Sequence, residues 1–334
     1  MWKKLKRLLR FRKSGKAGKP AKSPVNPVDR QKEIATLRAD ALALYERFQS
    51  GSLRDDDIVE LEDLELPKVA DYLQRLHEDA GQFSAAMGEF AKAYSPFGIF
   101  GEDEVVIESG ADWGYSVLAM RSHGCRAKIV SVEAAPFHRV ALDRLVELES
   151  GGYEWVNAAF GEHQSELSLY TPVVNRKPIG GLTSVGATLD AYFVVHVTSF
   201  AEQYVKLPDR DGQTSFDFRL FPFSVKSVRI PDIPKQLDLA ADAVAAIKLD
   251  VEGHEGPVLA GARDFLAAQR PMIMNEGANR SEDVRTVLQS LGYQHHELHQ
   301  NVLRAVSEIS QAQDGYWLHP AKLESYRSRG LLVA

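Results

Sequence analysis

Apolar residues recur every three or four positions through residues 29–94, and this spacing predicts helices. From residue 95 onward the pattern changes to short apolar runs, each followed by a polar or glycine-rich turn and then by another helical stripe. Such alternation of buried strands and amphipathic helices is typical of an α/β domain whose sheet is mostly parallel. The pattern therefore predicts a helical N-terminal region followed by a larger sheet domain.

Five of the apolar runs predict parallel strands. They cover residues 105–107, 128–132, 153–156, 246–249 and 272–274, and residues 316–318 are expected to close the sheet as core. Open α/β sheets bind ligands in a crevice at the carboxyl ends of their strands. The polar residues that directly follow these runs are therefore the candidate site.

The fourth run ends in a dense group of acids. Asp250, Glu252 and Glu255 surround one glycine, His254 is the only histidine of the turn, and an apolar helix is expected over residues 256–266. A near-neutral pKa suits a general base, and the two glutamates would raise the pKa of His254 if they lay close. We predict that Asp250 lies at the reaction centre, that His254 is the base and that Glu255 starts the next helix. The alternative for His254 is that it only caps the turn or bonds a backbone carbonyl.

The first run leads into a glycine turn and a further helix. Gly110 and Gly114 allow the backbone to approach a ligand closely, with Ala111 and Asp112 between them. Amide groups at the start of the following helix can bind an anion such as a carboxylate. The full glycine pattern of a dinucleotide-binding fingerprint is missing. The turn predicts either a ligand site of another kind or a tight turn without a ligand.

An acid follows the second run and a polar pair follows the third. Glu133, about 25 residues after the glycine turn, is placed to accept hydrogen bonds from the hydroxyl groups of a ribose. Asn157 and Ala158 lie where a polar and a small apolar side chain would contact an adenine ring. Together these positions favour a cofactor that contains adenosine. The alternative for Glu133 is a surface acid near the start of a helix.

Five segments of the chain carry a resemblance to a known family. In order, they read VVIESGADWGYS, IVSVEAAP, WVNAAFGE, AAIKLDVEGHEGPVLAGA and RPMIMNEG. With these segments the chain resembles the FkbM family of S-adenosylmethionine-dependent methyltransferases over about residues 100–305. KLDVEGHE followed by VLAGA is the specific part, whereas the glycine motif is shared with most class I methyltransferases.

The resemblance implies a Rossmann-like class I methyltransferase sheet of seven strands, mostly parallel, whose last hairpin is antiparallel. It also implies S-adenosylmethionine as the methyl donor and a hydroxyl acceptor on a sugar, glycan or natural product. The residues expected to bind the donor are Glu108, Gly110, Ala111, Asp112, Gly114, Glu133, Asn157, Ala158 and Asp250.

Two positions and one segment depart from the family pattern. The glycine motif normally begins with Asp and often has Asn after Gly-Ala, and here those positions are Glu108 and Asp112. The charge of Asp112 would suit the sulfonium or amino group of the donor but disfavour its carboxylate. The segment over residues 171–225 is longer than the usual connection of the family, and we expect it to carry substrate specificity.

Methyl transfer requires that the acceptor lie in line with the donor's methyl group and lose a proton. His254 is one candidate to take that proton. The other is a metal, because Asp250, Asn275 and Glu276 follow neighbouring runs and offer the oxygen ligands that Mg²⁺ prefers. A further alternative is that Asp250 and Glu276 hydrogen-bond the substrate or the donor. In each case Asp250, His254 and Glu276 are the predicted catalytic residues.

Charge is distributed unevenly along the chain. The net charge is −6, yet residues 1–22 carry ten Lys and Arg and no acid. Trp2, Leu5, Leu8, Leu9 and Phe11 alternate with these cations, which predicts peripheral contact with an anionic membrane. The alternative is a solvated tail. Nucleic acid is disfavoured as a partner, because the rest of the chain is acidic and no recognised binding motif follows.

The remaining composition favours the cytoplasm. Cys125 is the single cysteine and cannot form an internal disulfide, and no 18-residue apolar run would span a bilayer. The basic start is not followed by the apolar stretch of a signal peptide. We therefore expect a cytoplasmic protein, at most peripheral to the inner face of the membrane.

Four regions are expected along the chain: a basic, disordered tail and linker (1–28), a helical region (29–94), an FkbM-like methyltransferase domain (95–320) and a C-terminal tail (321–334). The predicted function is S-adenosylmethionine-dependent methylation of a hydroxyl group. The alternative is a non-catalytic nucleoside-binding or scaffold protein with a methyltransferase fold, which the departures at Glu108 and Asp112 leave open.

Overall fold

The computed structural model describes residues 27–79, 83, 87–88, 90–185, 217–276, 282–307 and 314–332. The predicted tail of residues 1–28 lies outside this part except for its last two residues, and so does 186–216, the middle of the long segment. The chain divides into two compact units. The first unit is Met1–Pro67 with Leu169–Phe223, and the second unit is Lys68–Ser168 with Ser224–Ala334.

The elements are numbered in chain order. The helices are α1 (Pro27–Gln49), α2 (Val69–Glu78), α3 (Tyr115–Ser122), α4 (Arg139–Leu148), α5 (Asp232–Gln236), α6 (Glu255–Gly261), α7 (Arg263–Gln269), α8 (Glu282–Ser290) and α9 (Leu323–Ser328). The strands are β1 (Val105–Ser109), β2 (Lys128–Glu133), β3 (Tyr153–Asn157), β4 (Ala159–Phe160), β5 (Glu166–Val174), β6 (Lys177–Pro178), β7 (Ser184–Val185), β8 (Phe218–Val228), β9 (Val244–Leu249), β10 (Met272–Glu276), β11 (Gln294–His299), β12 (Val302–Ala305) and β13 (Asp314–Leu318). Short 3₁₀ turns lie at Asp55–Asp57, Leu61–Asp63, Ser95–Ile99, Pro136–His138, Gly180–Leu182, Ala241–Ala243 and Pro320–Lys322.

The second unit contains an eight-stranded sheet in the order β12-β11-β13-β10-β9-β1-β2-β3. Strands β3, β2, β1, β9 and β10 are parallel, while β13 is antiparallel to both β10 and β11. The α/β prediction with its mostly parallel sheet and antiparallel final hairpin is confirmed. The predicted count of seven is one too low, because the short strand β12 turns back at Gln300 and Asn301 and pairs with β11.

Helices cover both faces of this sheet. Apolar side chains of α5 to α8 pack on one face, where the fully buried ones include Ile233, Val258, Leu259, Leu266, Leu288, Ile247 and Trp317. On the other face α3 reaches the sheet through Ser116, whose hydroxyl bonds Glu108, and α2 contacts both α3 and α4. The strands are therefore buried on both sides, which explains why they read as continuous apolar runs.

The helix expected over residues 256–266 is interrupted. It ends as α6 at Gly261, and α7 begins at Arg263. A Cβ at Gly261 would lie 2.7 Å from the carbonyl oxygen of Gly161, so the chain before β5 approaches the helix closely at that point. This close approach requires glycine at the point where the apolar stripe divides into two short helices.

The first unit contains α1, the strands β6 and β7, and those parts of β5 and β8 that lie within Leu169–Phe223. Ala41 and Leu44 of α1 pack with Val174, Ile179 and Leu220 in a separate core. Strand β5 pairs with β6 and with β7 in antiparallel fashion. Residues 29–67 therefore group with strands from the long segment, whereas the predicted boundaries placed all of 29–94 in one helical region.

Salt bridges stabilise the first unit further. The carboxylate of Asp57 is buried and lies 2.6 Å from the guanidinium of Arg47 and 3.1 Å from that of Arg54. These contacts hold the pKa of Asp57 well below its ordinary value.

The residues of the predicted C-terminal tail group with the second unit and include helix α9. Within the residues that the structure describes, no helix is long and apolar enough to cross a membrane.

Candidate active site

The candidate site lies in the second unit, at the carboxyl end of β1. The chain builds the sheet from β1 outward through β2 to β3 and later returns to add β9 and β10 on the other side of β1. The strand order thus reverses at β1, and the carboxyl ends beside such a switch point leave a crevice that binds ligands. The predicted site residues after β1, β2, β3, β9 and β10 all lie along this edge.

The glycine turn after β1 is pressed against the turn after β9. Gly110 and Gly114 have left-handed backbone conformations, with φ values of 75° and 78°, and Asp112 between them has φ 50°. A Cβ at Gly110 would collide with the carbonyl oxygen of Asp250, and one at Gly114 would collide with the side chain of Leu145. Glycine is therefore required at these positions both for backbone conformation and for space.

Gly110→Ala is expected to lower the free energy of unfolding by about 3 kcal/mol, because a left-handed alanine is strained and its Cβ overlaps a backbone oxygen. Urea unfolding followed by circular dichroism measures the change. Gly88→Ala is the matched control, since a Cβ at this helical position meets nothing within 4 Å, and its stability should stay level or rise slightly. Equal effects of the two substitutions would contradict the close approach of the turns.

A buried lysine joins the two turns. Lys248 of β9 is 1% exposed, and its Nζ donates to the carbonyl oxygen of Gly110 at 2.5 Å. The same Nζ lies 3.3 Å from Oδ2 of Asp250 and 3.6 Å from Oε1 of Glu108. An ammonium group has three donors, and three oxygens surround this one. Lys248 therefore fixes the carboxylate of Asp250 relative to the glycine turn.

Glu108 lies at the centre of a polar row across three strands. The parallel register sets it beside Ser131 of β2 and Lys248 of β9. Its Oε2 accepts a hydrogen bond of 2.5 Å from Ser131, and its Oε1 accepts one from Ser116. The side chain is fully buried, so its charge requires these partners. Glu108, predicted to bind the donor, thus has its carboxylate engaged inside the sheet, beneath the crevice.

Glu133 is the last residue of β2, and its carboxylate binds the backbone of the glycine turn and of the segment that follows β2. Its Oε2 accepts the backbone N–H of Asp112 at 2.9 Å, and its Oε1 accepts the backbone N–H of Ala135 at 2.8 Å. Asn157 lies nearby, and its amide donates to the carbonyl oxygens of Glu133 and Ala134 at 3.0 and 3.1 Å. Glu133, which was predicted to face a ribose, is therefore held in one orientation by the backbone N–H groups of Asp112 and Ala135.

A buried histidine stands between two of the acids. Nε2 of His138 lies 2.9 Å from Oδ1 of Asp112, and its Nδ1 lies 3.2 Å from Oε1 of Glu133. Burial alone would lower the pKa of His138, but the charges of Glu133 and Asp112 outweigh burial and raise its pKa to about 9. The imidazolium form therefore predominates at neutral pH and offsets the charge that Asp112 adds to the glycine turn.

The turn after β9 is shaped by Glu255, the first residue of α6. Glu252 and Gly253 have left-handed conformations, and the Glu255 carboxylate accepts the backbone N–H groups of Val251 and Gly253 at 3.3 Å each. Burial raises the pKa of Glu255. The pKa of His254 is lowered by burial, although neighbouring glutamates were predicted to raise it. The Glu255 carboxylate accepts hydrogen bonds from backbone amides of the turn. Burial of the His254 ring therefore decides the direction in which its pKa shifts.

The predicted magnesium ligands are not brought together. In the register of β9 and β10, Asn275 pairs with Leu249 on the face packed by α6, whereas Asp250 contacts Lys248 on the opposite face. The Asn275 side chain is fully buried and donates to the carbonyl oxygen of Glu276. Among the residues that the structure describes, no group of three or more His, Cys, Asp and Glu could hold a metal. The residues therefore do not fit a magnesium site, and the Lys248 ammonium already provides a cation beside Asp250.

The described architecture is a doubly wound α/β sheet with a crevice at its switch point. Residues 108–295, more than half of the chain, match the model of the Methyltransferase FkbM domain. The chain belongs to this family, and the family predicted from its motifs is confirmed. No curated protein matches the chain.

Among the solved structures that are similar to this chain, two illustrate the low sequence identity. One is the methyltransferase FkbM from Methylobacillus flagellatus KT, with 14% identity, a TM-score of 0.37, and coverage of 65% of this chain and 43% of that chain. The other is a precorrin-6y C5,15-methyltransferase from Geobacter metallireducens GS-15, with 9% identity, a TM-score of 0.33, and coverage of 68% and 84%. The chain thus spans less than half the length of the first.

Sequence reasoning missed two residues of this site. Lys248 interrupts an apolar run, and a charged residue inside a buried strand is a signal that could have been used. His138 lies in the short 3₁₀ turn Pro136–His138, a segment in which no site residue was predicted. Its proximity to Asp112 and Glu133 comes from the tertiary fold, and no local pattern indicates it.

Proposed function

We propose that this protein transfers a methyl group from S-adenosylmethionine to a hydroxyl group of a sugar, glycan or natural product. The observation that carries the proposal is the meeting of the two turns after β1 and β9, where Lys248 ties the Asp250 carboxylate to the backbone of Gly110. In this arrangement the Asp250 carboxylate lies beside the glycine turn, where the donor and the acceptor would lie next to each other. Membership of a methyltransferase family supports the same activity.

The donor would occupy the crevice at the carboxyl ends of β1, β2 and β3. The glycine turn offers backbone amides at the start of α3, and Glu133 offers its carboxylate to a ribose hydroxyl. Asn157 ends β3, and its exposed side chain would meet the adenine, whereas the predicted Ala158 is buried in the apolar core directly after it. When bound, S-adenosylmethionine supplies a methyl group that its sulfonium has already made electrophilic. The protein's task is then to orient the acceptor and accept its proton.

We propose that Asp250 orients the acceptor hydroxyl and that His254 accepts its proton. The Lys248 ammonium fixes Asp250, so its carboxylate can hold the acceptor hydroxyl in one orientation. Burial lowers the pKa of His254, so its imidazole is neutral at pH 7 and can accept a proton. Glu276, at the end of β10, would hydrogen-bond a further hydroxyl of the acceptor.

Transfer of an isotopically labelled methyl group tests this function. The full chain is incubated with labelled S-adenosylmethionine and a panel of sugars, lipid-linked glycans and hydroxylated small molecules, and products are identified by mass spectrometry. The expected result is label on an oxygen of one acceptor class, accompanied by loss of the donor. If label appears only on nitrogen or carbon, the hydroxyl assignment fails although the methyltransferase assignment stands.

The basic residues 1–22 support a second proposal, that the protein contacts an anionic membrane. Each basic residue near such a surface contributes about 1 kcal/mol, and six of the ten in this segment alternate with apolar side chains such as Trp2 and Leu5. Deleting residues 1–22 should lower binding to vesicles of phosphatidylglycerol and phosphatidylcholine at least about fivefold in a sedimentation assay. Vesicles of phosphatidylcholine alone are the control. Unchanged sedimentation after the deletion would contradict the membrane contact.

A further inference from the structure

Three consecutive parts of the donor crevice converge on the ring of His138. Asp112 belongs to the glycine turn after β1, Glu133 ends β2, and His138 ends the 3₁₀ turn that follows β2. The ring is 1% exposed, and each of its nitrogens faces a carboxylate oxygen, at 2.9 and 3.2 Å. The rings of Trp113 and Phe137 lie against it with centroid distances of 4.5 Å each. The position of the imidazole is therefore fixed by packing as well as by charge.

Glu133 is the central acceptor of this cluster. Two backbone N–H groups and one nitrogen of His138 approach its carboxylate, which as an ion offers about four acceptor positions. At least one acceptor position then remains for a ligand. A ribose bound here would thus donate a hydrogen bond from one of its hydroxyl groups to Glu133, and the orientation of that carboxylate depends on the three groups that hold it.

We propose that His138 is a positioning residue of the donor site, which keeps Glu133 oriented toward the ribose of S-adenosylmethionine and neutralises Asp112 in the glycine turn. This inference rests on the proposed function. Without the ring charge, the carboxylates of Asp112 and Glu133 would face each other across a dry, packed space, where like charges repel strongly. They would move apart, and the glycine turn and the end of β2 would move with them.

The charged groups around the ring come from each element packed on it. Asp112 approaches from the turn after β1, and Glu133 from the end of β2. Arg139 follows His138 in the chain, but its guanidinium lies over the ring of Trp155. Because the two acids raise the pKa of His138 to about 9, the contribution of the imidazolium is fully present below pH ~6.5 and is lost as the pH rises through about 9.

A double-mutant cycle with His138→Gln and Asp112→Asn tests the proposal, with the dissociation constant for S-adenosylmethionine measured by calorimetry at pH 7. His138→Gln alone should weaken binding at least about tenfold, since it removes the cation that lies between two carboxylates. In the Asp112→Asn background the same change should weaken binding by less than about threefold, because one of the two charges is gone. The exposed His123 provides the control His123→Gln, which should leave binding unchanged.

A pH series separates positioning from packing. Wild-type affinity for the donor should fall as the pH rises through about 9, and in Asp112→Asn that fall should move to lower pH, because the imidazolium has lost one stabilising charge. The donor's own amino group also titrates, and it changes the affinity of every variant in the same way. The pH dependence measured with His138→Gln gives this contribution, which is subtracted from the other series. A purely structural role for His138 would give the same pH dependence in all of them.

The outcomes separate this inference from the proposed function. If the wild type does not bind S-adenosylmethionine at all, the proposed function fails. If the wild type binds but the two substitutions weaken binding additively, the positioning role is refuted while the function stands. Should His138→Gln fail to fold, NMR of ¹⁵N-histidine in the folded wild type and in Asp112→Asn replaces it: a ring titration near pH 9 that moves down in the variant supports the proposal, and an unmoved titration overturns it.

Discussion

Asp250→Asn is expected to lower the turnover of methyl transfer by a factor of about 10² to 10⁴, the range for loss of a positioned acid–base group. The asparagine keeps the shape of the side chain but removes the charge that orients the acceptor hydroxyl. Lys248 would still contact Gly110 and Glu108, so the fold should persist. The labelled-methyl assay measures the loss, and the exposed Asp264→Asn on α7 is the matched control.

The affinity of the Asp250→Asn variant for S-adenosylmethionine shows which step is affected. We expect the dissociation constant of the donor to rise much less than turnover falls, because Asp250 is proposed to act mainly on the acceptor. An equal change in both quantities would make Asp250 a donor-binding residue. Near-normal turnover would remove it from the site altogether.

Lys248→Met is expected to lower the free energy of unfolding by about 3–5 kcal/mol. Methionine fills a similar volume, but the substitution leaves the fully buried Glu108 carboxylate and the Gly110 carbonyl oxygen without their cation. An uncompensated buried charge is the costly part of breaking such a pair. Urea unfolding measures the change, and Lys235→Met, at an exposed position, should stay within about 0.5 kcal/mol of the wild type.

A second substitution tests the cause of that loss. In the double variant Lys248→Met with Glu108→Gln, the buried position carries a neutral amide, so a large part of the lost stability should return. Methyl transfer should not return, since Asp250 is still without the ammonium that fixes it. A loss below about 1 kcal/mol in Lys248→Met alone would contradict the view that this lysine holds the sheet beneath the site.

The sheet was largely predictable because its strands are buried on both faces. A strand between two helical layers needs apolar residues at nearly every position, and such runs stand out from the helical periodicity around them. The carboxyl ends were predictable for the same reason, since the first acid after each run marks where the strand leaves the core. Asp250 and Glu133 were predicted in this way, and the structure places both at the carboxyl ends of their strands.

Other features could not be predicted from the sequence, because they depend on the register of the strands and on contacts between residues far apart in the chain. Glu108 was expected to bind the donor because it stands where the family motif has Asp, but the alignment of β1 with β2 and β9 sets its buried carboxylate beside Ser131 and Lys248. Asn275 follows a strand end just as Asp250 does, yet the alternation of side chains directs it to the opposite face. The grouping of α1 with strands of the long segment likewise rests on contacts between residues far apart in the chain.

Calorimetric titration of the full wild-type chain with S-adenosylmethionine shows directly whether the protein binds the donor. We expect saturable binding of one donor per chain with a dissociation constant below about 1 mM, the upper range for enzyme substrates. Demethylated donor, S-adenosylhomocysteine, should compete for the same site. Absence of binding at millimolar donor would contradict the account, and binding without transfer to any hydroxyl acceptor would favour the non-catalytic, nucleoside-binding alternative.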